Sequence, residues 1–225
     1  MEIVIPRREN IHQTDVADPV KWYYIPGTRM FYLHRLKMTL AMLSHQKYER
    51  LLDIGFGSGI FLPELSRRCD QLYGIDLHDN IPLVEDMIRK EGLKATLSKA
   101  SATDIPYPDN YFDCVICISV LEHIHKLPRA IRELRRVTKD DGTIVLGFPV
   151  ENTLSRLILQ ILYLWLPNAK LDDEHVSTHH DILTETRNQL HIVKTSQFPS
   201  FIPVDYSLYY VCQCKMILDF RLQIA

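Results

Sequence analysis

The chain lacks a surplus of charge of either sign. Its 26 Lys and Arg against 28 Asp and Glu leave a formal net charge of -2, which argues against the broad basic footprint that nucleic-acid binding requires. It also lacks an apolar run of membrane-spanning length. The nearly all-apolar stretch from Leu154 to Leu166 falls short of the roughly 20 residues a spanning helix needs. Met1 to Asn10 is of mixed charge without the apolar centre of a secretory leader, so the expected compartment is the cytoplasm. Cysteine is sparse, five residues in all. Cys114 and Cys117 stand in a strand-like run where positions three apart face opposite ways, which argues against a shared metal or redox pair. Cys212 and Cys214 fall on one face of a late strand and read as packed thiols. Glycine is scarce as well, eight in 225, yet three of the eight crowd at positions 55, 57 and 59.

Those glycines follow a short apolar run, Leu51 to Ile54, in the stretch L-L-D-I-G-F-G-S-G. The pattern predicts a buried parallel strand, a turn in which a ligand can lie against the main chain, and a helix from Ser58 to about Arg68. A second apolar run, Leu72 to Ile75, closes on Asp76, where a ribose would present its hydroxyls to a carboxylate. Dinucleotide sites carry G-x-G-x-x-G, but the sixth position of that pattern is Ile60 here. Asp53, two residues before the first glycine, would repel a pyrophosphate and attract an ammonium group. A ligand with a ribose at one end and an amino acid at the other fits both carboxylates.

At this point the sequence resembles the class I S-adenosylmethionine-dependent methyltransferases, and the match runs from 51 to 149. The loop P-Y-P-D-N-Y-F-D ahead of strand four, V-L-E-H at Val120 to His123 and L-R-R-V-x-K-x-x-G at Leu134 to Gly142 carry it. V-L-E-H resembles the ubiquinone-type, small-molecule subgroup; Leu127-Pro128 stands where that subgroup has Asp-Pro. The resemblance implies a doubly wound α/β domain with a Rossmann-like seven-stranded sheet, an N-terminal lid helix and a small helical cap insertion. It places S-adenosylmethionine, with S-adenosylhomocysteine as product, against Asp53, Gly55, Phe56, Gly57 and Gly59, against Asp76 and Leu77 after strand two, and against Ser119 after strand four. Thr103 and Asp104 would flank the adenine, and Tyr24 or Arg29 would meet the cofactor's carboxylate. His123 and His175 are the candidate bases on the acceptor side.

The expected organisation is a single methyltransferase domain over 1–225. It comprises an arm and lid helix over 1–46, a cofactor-binding core over 47–150, a cap insertion over 151–185 and C-terminal strands over 186–225. The lid helix is read from Thr28 as N-cap and Met30, Phe31, Leu33, Leu36, Leu40 and Leu43 at helical spacing. Trp22 to Tyr24, Arg29, Tyr32 and Arg35 form an aromatic and cationic cluster around its start. The helix Pro128 to Thr138 carries arginines that read as a solvated face, and Asp140-Asp141-Gly142 reads as a turn into strand five. Leu171 to Leu183 holds four carboxylates and three histidines at no standard metal spacing, and Ser119 and Pro149 occupy the positions where metal-dependent catechol enzymes have acidic ligands, so no metal is expected. His179 and His180 read as surface residues. The acceptor is a small molecule, hydrophobic or lipid-like if the Leu154 to Leu166 face lines its pocket, with peripheral membrane contact if that face meets lipid. The chain is expected to be a monomer or homodimer. A nicotinamide oxidoreductase is disfavoured by Ile60 and Asp53, and a nucleic-acid amino-methyltransferase by the missing Pro-Pro-aromatic after strand four. A non-catalytic cofactor-binding scaffold, or an enzyme acting on protein or nucleic acid, remains as an alternative.

Overall fold

The computed structural model describes residues 3–14, 19–44, 46–153, 155 and 175–217. Nearly all of the apolar stretch Leu154 to Leu166, and with it most of the expected cap, lies outside the described residues. Seven strands make one sheet: β1 (Tyr48–Ile54), β2 (Cys69–Asp76), β3 (Thr96–Lys99), β4 (Phe112–Ile118), β5 (Thr138–Pro149), β6 (Leu190–Phe198) and β7 (Tyr209–Met216), in the order β3-β2-β1-β4-β5-β7-β6. The first five run parallel, and β7 enters antiparallel to both β5 and β6. This is the sheet of the class I methyltransferase fold.

Alternation along the strands explains the two layers of helices. Leu51, Cys114, Ile116, Val145 and Val211 face one core, shared with α1 (Pro26–Ala41), α2 (Leu62–Ser66) and α3 (Ile81–Lys90). Leu52, Ile54, Val115, Cys117, Ile144 and Cys212 face the other, shared with α4 (Leu127–Val137) and α5 (His179–Gln189). Successive side chains of a strand point to opposite faces, so Cys114 and Cys117 are separated by the sheet, whereas Cys212 and Cys214 share a face with their Sγ atoms 3.8 Å apart. All five thiols are free and buried.

The chain runs outward from β1 through β2 to β3, then crosses back to lay β4 on the other side of β1. That reversal opens a crevice beyond the carboxyl ends of β1 and β4, the place where such sheets bind ligands. α1 packs over β5 and β7 on the same side of the sheet as the glycine turn.

Several elements differ from the sequence reading. α2 begins at Leu62 rather than Ser58, because Gly59 has φ +80° and a helix cannot run through it. α1 begins with Pro26 at its first turn, capped by Ile25; the Thr28 hydroxyl instead donates to the Trp22 carbonyl at 2.8 Å. Asp140 to Gly142 do not interrupt β5: the strand starts at Thr138, and these residues bulge opposite Asp113, where the register jumps from Phe112↔Thr138 to Cys114↔Thr143. His179 is buried rather than on the surface, at 6% exposure; burial and the neighbouring His180 lower its pKa.

Candidate active site

The crevice is built from the turns that follow β1, β2 and β4. After β1, Gly55, Gly57 and Gly59 all adopt positive φ. A Cβ on Gly55 would stand 2.1 Å from Val120 Cγ2, and one on Gly59 would strike Met87 and Val84 of α3. The first and third glycines are therefore needed for packing the turn against its neighbours, and the middle one presents its main chain. Gly57 N–H donates to Asp76 Oδ2 at 2.8 Å. Phe56 is buried, its ring edge-on to His78, so it has only its backbone to offer a ligand.

Asp76 ends β2 as the sequence reading places it, and its Oδ1 accepts from Leu77 N–H at 2.6 Å. Leu77 itself is 64% exposed, an apolar surface beside the carboxylate that suits a flat base. His78, which sequence reasoning missed, ties the two turns together. Its Nδ1 accepts from Asn80 N–H at 3.1 Å, which leaves the proton on Nε2 to donate to Gly57 O at 2.9 Å. An imidazole two residues past the acidic strand end is the signal that was available. Asp53 lies buried below the turn. Burial first, and the nearby Asp76 charge second, push its carboxyl up to about 7. A carboxylate held so unfavourably is stabilised by any cationic group that enters the crevice.

Across the crevice Ser119 follows β4 at φ +56°, its N–H donating to Gly147 O at 2.7 Å. Its hydroxyl pairs with Tyr209 Oη at 2.9 Å and lies 3.5 Å from Arg35 Nη1. Arg35 of α1 donates from Nη2 to Tyr23 Oη at 3.0 Å and lies over the rings of Tyr32 and Tyr209. Burial works against its charge, but the surrounding hydroxyls of Tyr23, Tyr209 and Tyr32 outweigh that and raise its pKa. No carboxylate of the described residues pairs with it, and its Nε is out of contact with solvent and without a hydrogen-bond partner. Arg35 was visible in the sequence as part of the aromatic and cationic cluster. The fold singles it out.

Tyr24 and Arg29 fare differently. Tyr24 Oη donates to Pro6 O at 2.7 Å, under the Arg8 guanidinium, and burial pushes its pKa up to about 12. It fastens the N-terminal arm, which continues over α3 through Arg7 N–H to Glu91 and reaches the glycine turn where Thr14 N–H donates to Ser58 Oγ at 3.1 Å. Arg29 is exposed. Thr103 N–H is held by Ser101 Oγ at 3.1 Å, and Asp104 stands in solvent, with Arg129 Nη2 3.8 Å from its carboxylate.

Beyond Ser119 and Val120, the turn Leu121–His123 meets the segment ahead of α5. Val176 and Ser177 N–H both donate to Glu122 O, at 2.8 and 3.0 Å, and Ser177 Oγ donates to Ile124 O at 2.9 Å. This pinning brings His175 to His123, ring centroids 5.0 Å apart. The two histidines marked in the sequence are thus neighbours, and Glu122, which was not marked, stands with them.

Comparison with known proteins follows this geometry. Residues 52–146 match the family described as "Methyltransferase domain". The ubiquinone/menaquinone biosynthesis C-methyltransferase UbiE of Vibrio cholerae is 30% identical over 136 residues, 56% of this chain and 52% of that protein. Ajmaline N-methyltransferase of Rauvolfia serpentina is 31% identical over 114 residues, 49% of this chain and 39% of that one. The chain spans about half the length of the curated relatives it matches or less. Among solved structures, the N-methyltransferase NodS of Bradyrhizobium japonicum in complex with S-adenosyl-L-homocysteine superposes with a TM-score of 0.63 at 16% identity, covering 88% of this chain and 92% of NodS. The chain therefore carries an S-adenosylmethionine-dependent methyltransferase domain over its central region and has the class I methyltransferase fold over most of its length.

Proposed function

We propose that the protein transfers the methyl group of S-adenosylmethionine to a small-molecule acceptor at the crevice beyond β1 and β4. The observation that carries the reading is the pairing of opposite charges across that crevice. Asp53 lies buried on one side, suited to the cofactor's ammonium group, and Arg35 lies on the other without a carboxylate partner, suited to its carboxylate. Asp76 would take the ribose hydroxyls, Leu77 one face of the adenine, and Asp104 the adenine amino group. Arg35 replaces Tyr24 and Arg29 as the carboxylate's partner in this reading, since the Tyr24 hydroxyl is already given to Pro6.

Methyl transfer from a sulfonium is an in-line displacement. It needs the nucleophile held opposite the sulfur and water kept out more than it needs covalent participation. His123 and His175 are the imidazoles at the acceptor side, and either could take the proton of an acceptor hydroxyl or carbon acid. UbiE and ajmaline N-methyltransferase are named for methylating small molecules, and V-L-E-H resembles the ubiquinone-type, small-molecule subgroup. An apolar acceptor follows if the stretch Leu154 to Leu166 covers it.

The test is transfer of labelled methyl from S-adenosylmethionine into a fractionated cell extract. Label in the small-molecule fractions is expected, and its partition into organic solvent would identify an apolar acceptor. Label confined to precipitated macromolecules would move the acceptor to protein or nucleic acid. No label from a chain that binds S-adenosylhomocysteine would favour a non-catalytic binding role.

A further inference from the structure

Two imidazoles and a carboxylate meet at the acceptor edge, which is more than a single proton acceptor requires. One donor atom from each of Glu122, His123 and His175 lies within 4.8 Å of the other two. Ligands bonded to one cation at about 2.0–2.2 Å stand about 3 to 4.4 Å apart, so small side-chain rotations close the set. Glu122 is 2% exposed, and a carboxylate that deep favours a cation beside it. His175 carries a further mark of a ligand. Its Nδ1 is hydrogen-bonded to Glu151 Oε1; the carboxylate can only accept, so Nδ1 holds the proton and Nε2 is the nitrogen left to coordinate. A carboxylate on the far nitrogen is the usual support of a metal-ligating histidine, fixing the ring and raising its basicity. The backbone bonds from Val176 and Ser177 to Glu122 O then hold His175 in place against the turn.

We propose that Glu122, His123 and His175 bind one divalent first-row transition cation, and that this cation seats an acceptor hydroxyl beside the transferable methyl. The second half rests on the methyltransferase reading; the first does not. Two imidazoles and one carboxylate suit Mn2+, Fe2+, Co2+ or Zn2+ better than Mg2+ or Ca2+. Three protein ligands leave positions open, as sites that bind substrate do. A hydroxyl on the cation loses its proton to solvent more readily. Its oxygen then bonds to the methyl carbon while the carbon–sulfur bond breaks and that electron pair stays on sulfur, leaving neutral S-adenosylhomocysteine. The site departs from the metal-free expectation, which weighed the spacing within Leu171 to Leu183 and the catechol-type positions at Ser119 and Pro149: the ligands come from two segments that the fold, and not the sequence, brings together.

The test is a visible-absorption titration of the chelator-treated full chain with Co2+, with S-adenosylhomocysteine affinity and a thermal melt measured on every variant. The wild type is expected to take up one equivalent, with the absorption of a protein-bound site. His123→Ala and His175→Ala should each weaken binding at least about tenfold, and Glu151→Gln about 10- to 100-fold. His180→Ala, in a second group of potential donors with His179 and Asp205, should leave it unchanged. The proposal is overturned if the wild type takes up no Co2+, or if folded His123→Ala and His175→Ala bind as the wild type does. Loss of binding in His180→Ala alone would equally overturn it. Should the Co2+ pattern hold while S-adenosylhomocysteine fails to bind, the cation site stands and the methyltransferase reading falls.

Discussion

Asp53 makes cofactor binding sensitive to pH. Its carboxyl, raised from 3.8 to about 7 by burial and by Asp76, is largely neutral in the empty site below about pH 7. An ammonium group arriving beside it favours the ionised form, so binding expels a proton wherever the free site still holds one. Affinity for S-adenosylhomocysteine should therefore climb from pH 5 to about pH 7, by up to about tenfold per unit, and level off above. Calorimetry in buffers of different ionisation enthalpy would read the proton directly, and Asp53→Asn should flatten the profile. The same shift has a stability consequence of opposite sense. A carboxylate whose pKa is raised by folding destabilises the empty protein as pH climbs from 3.8 to about 7, so Asp53→Asn should raise the melting temperature more at pH 8 than at pH 4. A profile that stays steep in Asp53→Asn would take the titration away from this residue.

At the scale of elements, what the sequence displayed was periodicity. Apolar runs at Leu51, Leu72 and Cys114 located the buried strands, and Gly92, at φ +68° just past α3, closes that helix. Backbone angle is not written in periodicity, so the helix after the glycine turn was drawn too early and the bulge in β5 was taken for a turn. The candidate site divides along the same line. Asp53, Asp76 and the glycines are legible because each sits at the end of a recognisable strand, whereas Glu122, Glu151 and the Tyr23–Arg35–Tyr209 cage depend on contacts between distant segments. Arg136 illustrates this further. It reads as one more solvated arginine of α4, yet its guanidinium donates to Ile105 O, Tyr107 O, Asp109 and Glu133, at 2.8 to 2.9 Å. It thereby fastens the loop that follows Thr103 and Asp104, while Glu133 Oε2 accepts from Ile105 N–H at 2.9 Å. Arg136→Met should cost about 2 kcal/mol in urea unfolding, the scale of losing charge-assisted bonds at a partly exposed site. It should also weaken adenosine-bearing ligands if, as proposed, the loop of Thr103 and Asp104 flanks the adenine; unchanged binding would mean that the loop does not contact the base.

For the molecule as a whole, the crevice lies between two sets of elements that share one core. One side belongs to β1, β2 and the glycine turn; the other is assembled from β4, from β7 and from α1, which reaches the site through Arg35. In the proposed binding mode the amino-acid end of the cofactor joins these parts, with Asp53 on the ammonium and Arg35 on the carboxylate, so a ligand lacking that end would hold only the first. 5′-Methylthioadenosine keeps the adenosine and lacks the amino acid. At 100 times its dissociation constant any ligand stabilises by about 2.7 kcal/mol, so the informative comparison is at equal concentration. There S-adenosylhomocysteine should raise the melting temperature further than methylthioadenosine does, by about 2–4 °C for each kcal/mol of added binding in a chain of this size. In Arg35→Met the difference between the two ligands should shrink, and hydrogen exchange in α1 should no longer slow when S-adenosylhomocysteine is added. If Arg35→Met keeps the full difference and the protection of α1, the carboxylate is held elsewhere, and the uncompensated guanidinium beside Ser119 becomes a candidate contact for an anionic group on the acceptor.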